Sequence, residues 1–237
     1  MFRGFAAELR LVQYDPRGFG LSEAAADLSL DALVSDTRAV LAAVGGGPAA
    51  IVTPVTAAPL GIAFAAAHPD QVSALALLGP EIDPDRRASI VRALKRADAE
   101  LGRTRSVINP TMPAEDVEPS RALANATLQR WEREGVRERM QQALLDWQVN
   151  DLLPRVACPT LVVHYPERAT SDGAYVAGRI PGARLVNRAG PNAPPFNPDI
   201  AGLAKLVNEF VIQHAFTPHQ PDAPAFDAPQ GSLESPR

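Results

Sequence analysis

Acyl transfer needs a hydroxyl or thiol to attack, an imidazole to take its proton and a carboxylate to orient that imidazole. The chain carries few residues suited to these roles. Thr53 and Thr56 stand at the end of a short apolar run, and a threonine can act as nucleophile when a base lies beside it. His164 closes a later apolar run, with Glu167 and Asp172 in the loop beyond it. Each has a plainer reading. Thr56 suits a hydroxyl that satisfies its own turn. His214 ends the last helical stretch, where a polar or cationic group complements the helix dipole. The four histidines, His68, His164, His214 and His219, show no metal-ligand spacing. Asp15 and Arg17 form a charged pair of types that is expected to hold a loop.

Cys158 is the single cysteine, which excludes an intrachain disulfide and a cysteine-based zinc site. It precedes Pro159 at the mouth of an apolar run, the place of a small buried filler. No metal and no cofactor are expected. The chain has 237 residues, is 46% hydrophobic and carries a formal net charge of -4. That is enough chain and apolar content for a buried core. The acidic balance argues against a nucleic-acid face, which needs clustered cations. Arg86, Arg87, Arg92 and Lys95 do cluster, but acids are interleaved, so a solvated helix face is expected. No apolar run reaches the roughly 20 residues that cross a bilayer, and the N-terminus has no signal-peptide layout. No membrane partner is expected, and the location is expected to be cytoplasmic.

Short apolar runs predict strands at Leu9 to Tyr14, Ala49 to Thr53, Val72 to Leu78, Thr160 to His164 and Ala183 to Asn187. Being apolar on both faces, they suit a parallel sheet covered on both sides. Helical patterns alternate with them. Ser29 to Val44 has a one-face apolar period, a serine at its start and Gly45-Gly46-Gly47-Pro48 to stop it. Pro59 to Ala67 and Ile200 to His214 are the other core helices. The alternation implies βαβ crossovers and a doubly wound α/β fold.

Residues 81 to 150 break the rhythm with two helical patterns, Arg87 to Leu101 and Glu118 to Trp147, and read as a helical insertion. Trp131, Met140, Leu144 and Trp147 sit at helical spacing there and are expected to pack between cap and sheet. They could also line a pocket. From Thr217 the chain is rich in Pro, Asp, Ala and Gln, the composition of a disordered tail. The domain reading is a core of 1–80 and 151–214, a cap of 81–150 and a tail of 215–237.

Several strings then point to one family. Tyr14-Asp15-x-Arg17-Gly18-x-Gly20-x-Ser22 resembles the strand-to-loop signature of α/β-hydrolases. Ala65-Ala66-Ala67-His68-Pro69 running into Val72 to Gly79 resembles the helix after the nucleophile and the next strand. Asp151 to His164 resembles the return from cap to core, and Ile180-Pro181-Gly182-Ala183-Arg184-Leu185-Val186 the last strand. The style is similar to hydrolase-like domains that accompany bacterial adenylate cyclase or LuxR-type regulators. The likeness covers roughly 1 to 214.

The resemblance implies where catalysis would sit, and the residues there cannot perform it. A hydrolase nucleophile rides on a tight G-x-S-x-G turn. Counting back from His68-Pro69 places it at Val55, within Thr53-Pro54-Val55-Thr56-Ala57. Valine has no nucleophilic atom, and both turn glycines are replaced. The base should follow the last strand and falls on Ala193. The acid should lie in the loop after His164, at Glu167 or Asp172. The family also has an earlier strand whose end supplies an oxyanion N–H. The chain begins at what resembles the helix after that strand, Phe2 to Leu9. The expected sheet therefore lacks its N-terminal strands and leaves an edge open to pairing with another chain.

The reading is a catalytically degenerate α/β-hydrolase-like protein, a pseudoenzyme serving as a binding or regulatory module. A small apolar ligand under the cap or a protein partner would engage it. Two rivals remain: an active hydrolase with displaced groups, drawing on Thr56, His164 or Asp172, and a truncated product without function.

Overall fold

The structure is a computed structural model and describes residues 2–6, 8–18, 22–23, 25–88, 92, 136–168, 170–190 and 199–214. Helix α1 (Phe2–Phe5) precedes α2 (Leu30–Ala43). Ser29 caps α2 by accepting the Ala32 N–H at 3.3 Å, satisfying one of the free donors of the first turn. Gly45, Gly46 and Gly47 follow at φ of 122°, 64° and 94°, a region that glycine enters without steric cost and that ends the helix abruptly.

Strands β1 (Ala49–Pro54), β2 (Val72–Leu78), β3 (Thr160–His164) and β4 (Arg184–Asn187) form one parallel sheet in the order β1-β2-β3-β4. The register sets Val52 beside Ala76, Ala76 beside Leu161 and Leu161 beside Arg184. Parallel neighbours need a crossover between them. Helix α3 (Ala58–Ala67) makes the first, and α5 (Gly173–Ala177) makes the last. Helix α4 (Val136–Asp146) lies in the long segment between β2 and β3, and α6 (Ile200–His214) closes the described chain.

The side chains of β2 alternate between two cores, as the two-residue period of a strand requires. Leu75 and Leu77 join Val34, Ile62, Phe64, Val162 and Val176 on the face of α2, α3 and α5. Ala74, Ala76 and Leu78 join Phe5, Leu161, Val163, Leu203, Val207 and Phe210 on the face of α1 and α6. Helices therefore cover both faces, and the fold is of the α/β-hydrolase type.

Several expectations require correction. Leu9 to Tyr14 is not a strand: it is irregular, with Leu11 and Val12 each 40% exposed. Among the described residues no strand pairs with the outer edge of β1. An apolar run without a ladder to satisfy its backbone groups has nothing to hold it extended. Helix α1 ends at Phe5 rather than continuing to Leu9. Arg87 does not lie on a solvated face, being 1% exposed. The mixed charge pattern around it could not reveal that the chain turns it inward beneath Trp147.

In the segment 81–150, residues 84–88 and Val136–Asp146 are helical. Trp147 is buried against Leu28 and Leu33, with Leu144 packed alongside, and its Nε1–H donates to the Leu28 carbonyl at 3.0 Å. Trp131 and the Met140 side chain lie outside the described residues, as does the rest of the two helical patterns. Among the described residues no helix is long and apolar enough to cross a membrane.

Candidate functional site

Parallel α/β sheets bind ligands at the carboxyl ends of their strands, and the bend after β1 lies at such an end. Pro54 ends β1 in extended conformation, and Val55 follows at φ 48°. It is the only non-glycine residue with positive φ among those described. For a β-branched residue this conformation costs about 1–3 kcal/mol and persists only where the surroundings impose it. Those surroundings are visible. The Val55 carbonyl accepts the Glu81 N–H at 3.2 Å, and its side chain packs on the core of α1 and α6. A short 3-10 turn, Val55–Ala57, then delivers the chain into α3.

Strand β1 and helix α3 approach closely on either side of this bend. A Cβ on Gly61 would meet Thr53 Oγ1 at 2.8 Å and Thr53 Cγ2 at 2.9 Å. The threonine side chain on β1 thus fills the gap left by a glycine on α3, and strand and helix still approach closely. Gly61→Ala should cost about 1–3 kcal/mol by overpacking. Adding Thr53→Ala should return most of that loss, because the Thr53 hydroxyl is buried without a hydrogen-bond partner. Urea melts of the single and double variants measure this directly. Equal stability of both would show that the helix moves aside instead.

The other sequence candidates are not gathered at the bend. Thr56 lies in the 3-10 turn, and no imidazole is bonded to it among the described residues. His164 is held on the face of α5: its Nδ1 is 2.9 Å from Ser171 Oγ. Gly173 packs so closely on it that an added Cβ would lie 2.6 Å from His164 Cβ. Burial lowers the His164 pKa below the ordinary histidine value, against the opposing pull of Asp172. The ring is therefore neutral near pH 7. The Asp172 carboxylate is occupied: Oδ2 accepts the N–H groups of Ile82 and Asp83 at 2.8 and 2.9 Å, and Oδ1 pairs with Arg86 at 2.6 Å. It fastens the loop after β3 to the loop after β2.

Glu167 Oε1 accepts the Gly190 N–H at 3.2 Å, so the loop after β3 touches the loop after β4. Ala193 lies just beyond, outside the described residues. Arg17 pairs with Asp36 on α2 rather than with Asp15, through bonds of 2.7 and 2.6 Å. This fork holds the Asp36 carboxyl below the usual carboxylate range, with burial opposing. Beside it Tyr14 Oη lies 2.7 Å from Thr37 Oγ1, and Tyr14, Arg17 and Asp36 border an open cleft of about 460 Å³. Cys158 is buried, and burial pushes its thiol up to about 11, which makes it inert near neutral pH.

A buried charge cluster at the end of β2 was not singled out in the sequence. Glu81 is 1% exposed, and its Oε1 accepts from Arg168 Nε at 3.0 Å, Arg168 Nη2 at 2.5 Å and Thr170 Oγ1 at 2.6 Å. One signal was available: a charged residue directly after an apolar run closed by Gly79-Pro80 stands on the carboxyl rim of a strand.

Sheet order, crossovers and the strained bend together define the α/β-hydrolase fold. Comparison with solved structures agrees. The esterase RhEst1 from Rhodococcus sp. ECU1013 superposes with a TM-score of 0.70 at 22% identity, covering 90% of this chain and 84% of that one. The α/β hydrolase MGS-M2 from a Medee basin deep-sea metagenome gives 0.68 at 17%, covering 85% and 78%. The enol-lactonase from Burkholderia xenovorans LB400 gives 0.66 at 21%, covering 84% and 79%. At such identities the likeness is one of fold. No family model matches the chain, and no curated protein matches it in sequence.

Proposed function

We propose that this chain is a catalytically silent protein of the α/β-hydrolase fold, acting as a binding or regulatory module. The carrying observation is Val55 at φ 48°. A strained strand-to-helix bend is where this fold displays its nucleophile, and here the strain is kept on a side chain with no nucleophilic atom. In this reading Val55, Glu167 and Ala193 stand where nucleophile, acid and base would stand. The Glu167–Gly190 contact supports the pairing of the last two positions. The contact of His164 with Ser171 and the full occupancy of Asp172 argue against either as a replacement. The neighbours that act on esters and enol-lactones bear on ligand size, since the same scaffold encloses a small-molecule site at its strand ends. A helical cap over residues 81–150, and a regulatory role like that of hydrolase-like domains beside bacterial regulators, belong to the same proposal.

The test is turnover of short-chain p-nitrophenyl esters together with labelling by a fluorophosphonate. The purified chain should show neither above the background of heat-unfolded protein, and Val55→Ala should leave both unchanged. Turnover that disappears in His164→Ala would overturn the reading in favour of displaced catalytic groups.

A further inference from the structure

Two buried carboxylates on the rim after β2 and β3 are ion-paired. Glu81 is matched by Arg168, and Asp172 by Arg86. Arg87 is 1% exposed and has no ion pair among the described residues. Its Nη2 donates to the carbonyls of Ile82, at 3.1 Å, and of Trp147. Its Nε and Nη1 have no hydrogen-bond partner among the described residues. A guanidinium does not release its proton in proteins, so the fold holds a cation in its interior with open N–H groups. A buried charge of this kind is unfavourable unless an opposite charge reaches it. The carboxylates of Asp172, Asp83 and Glu81 act on Arg87 from farther off, and burial outweighs them in holding its pKa below the ordinary arginine value.

We propose that Arg87 anchors a site for a small monocarboxylate, whose oxygens accept the open Nε–H and Nη1–H. A carboxylate supplies both the acceptor atoms and the missing charge, and charge-assisted bonds of this type are the strong ones. A single negative charge fits best, because Glu81, Asp83 and Asp172 would repel a second. Glu81 Oε2, buried and unpartnered, suits a ligand that also brings a hydroxyl donor. The place rests on the silent-bend reading: Ile82, which accepts from Arg87, follows Glu81, whose N–H holds the Val55 carbonyl. An acid bound there lies near a bend without a nucleophile and is retained unchanged.

Isothermal titration of the full chain with acetate, butyrate, octanoate and lactate tests the site, with butyramide as the uncharged control. At least one acid should bind with a Kd of about 1 mM or tighter. Butyramide should bind about tenfold or more weakly than butyrate, as expected when a charged bond is replaced by a neutral one. Arg87→Lys should weaken the acid about tenfold while retaining a cation for the two carbonyls. Glu81→Gln leaves Arg87 untouched, removes one repelling charge and should tighten the acid several-fold without affecting butyramide. It keeps the test decisive if Arg87→Lys fails to fold. Absence of saturable acid binding, or equal binding of acid and amide, would overturn the proposal and assign the open N–H groups to water alone. Ester turnover by a chain that binds acids would end the silent reading and leave this site standing. An inert chain that binds none would do the reverse.

Discussion

Replacing Asp172 with alanine should destabilise the protein by about 3 kcal/mol, because two backbone N–H groups at the rim lose their acceptor. Ile82 and Asp83 donate to the same carboxylate oxygen, and both follow β2 directly. The Ile82 side chain is buried, so water does not readily take the place of the lost oxygen. The third partner, Arg86, has a side chain 48% exposed. Its share is small, since an exposed guanidinium recovers its hydration. Asp172→Asn retains an oxygen for the two N–H groups and should lose about half as much. Denaturant unfolding with an unchanged m-value measures the difference. A loss in Asp172→Ala no larger than that of an exposed surface substitution would mean that the rim loops are not joined through this carboxylate.

The second large effect is expected at Arg168. Its guanidinium is the cation that faces Glu81, which is 1% exposed and already has one oxygen without a partner. Arg168→Ala leaves that carboxylate buried with Thr170 as its remaining donor, at a cost of about 3–5 kcal/mol. The penalty comes from stranding a charge rather than from losing a favourable bond. The double change Arg168→Met with Glu81→Gln should therefore be closer to the unaltered protein than Arg168→Ala is. A thermal melt of the three proteins decides the order. If the double variant proves the least stable, the pair contributes net binding energy, and the desolvation argument fails here.

These effects and the ligand proposal share one feature: they depend on residues far apart in the chain. Asp172 meets Ile82 and Asp83, and Arg168 meets Glu81, across the whole insertion between β2 and β3. A pattern scan of the sequence sees charged residues scattered among helix formers and assigns them to solvent. Arg87 shows the failure most clearly. Its interleaved acids suggested an exposed face, yet Asp83 caps the helical turn through the Arg86 N–H, and Arg87 points under Trp147.

Elements encoded by local signals lie close to their expected spans. The β2 and β3 boundaries and those of α6 match the expected spans. Their apolar runs end in residues that cannot extend them, such as Gly79-Pro80. The serine before α2 and the glycines after it act within a few positions of the helix ends, and such signals need no tertiary partner. Leu9 to Tyr14 had the same apolar look as a strand and did not form one, because strand formation is completed by a neighbour and none is present among the described residues.

The candidate site divides in the same way. The count from His68-Pro69 to Val55 is local, but the spacing that gives it meaning comes from the resemblance to α/β-hydrolases. The structure shows Val55, a side chain with no nucleophilic atom, at the bend after β1. That Val55 sits in the left-handed region, that Gly61 makes room for Thr53, and that Arg87 is buried with two nitrogens unbonded among the described residues could be known only once the strands and helices were packed. Periodicity and capping are short-range and are written along the chain. Close approach, burial and charge compensation belong to pairs of segments, and only the folded arrangement brings those segments together.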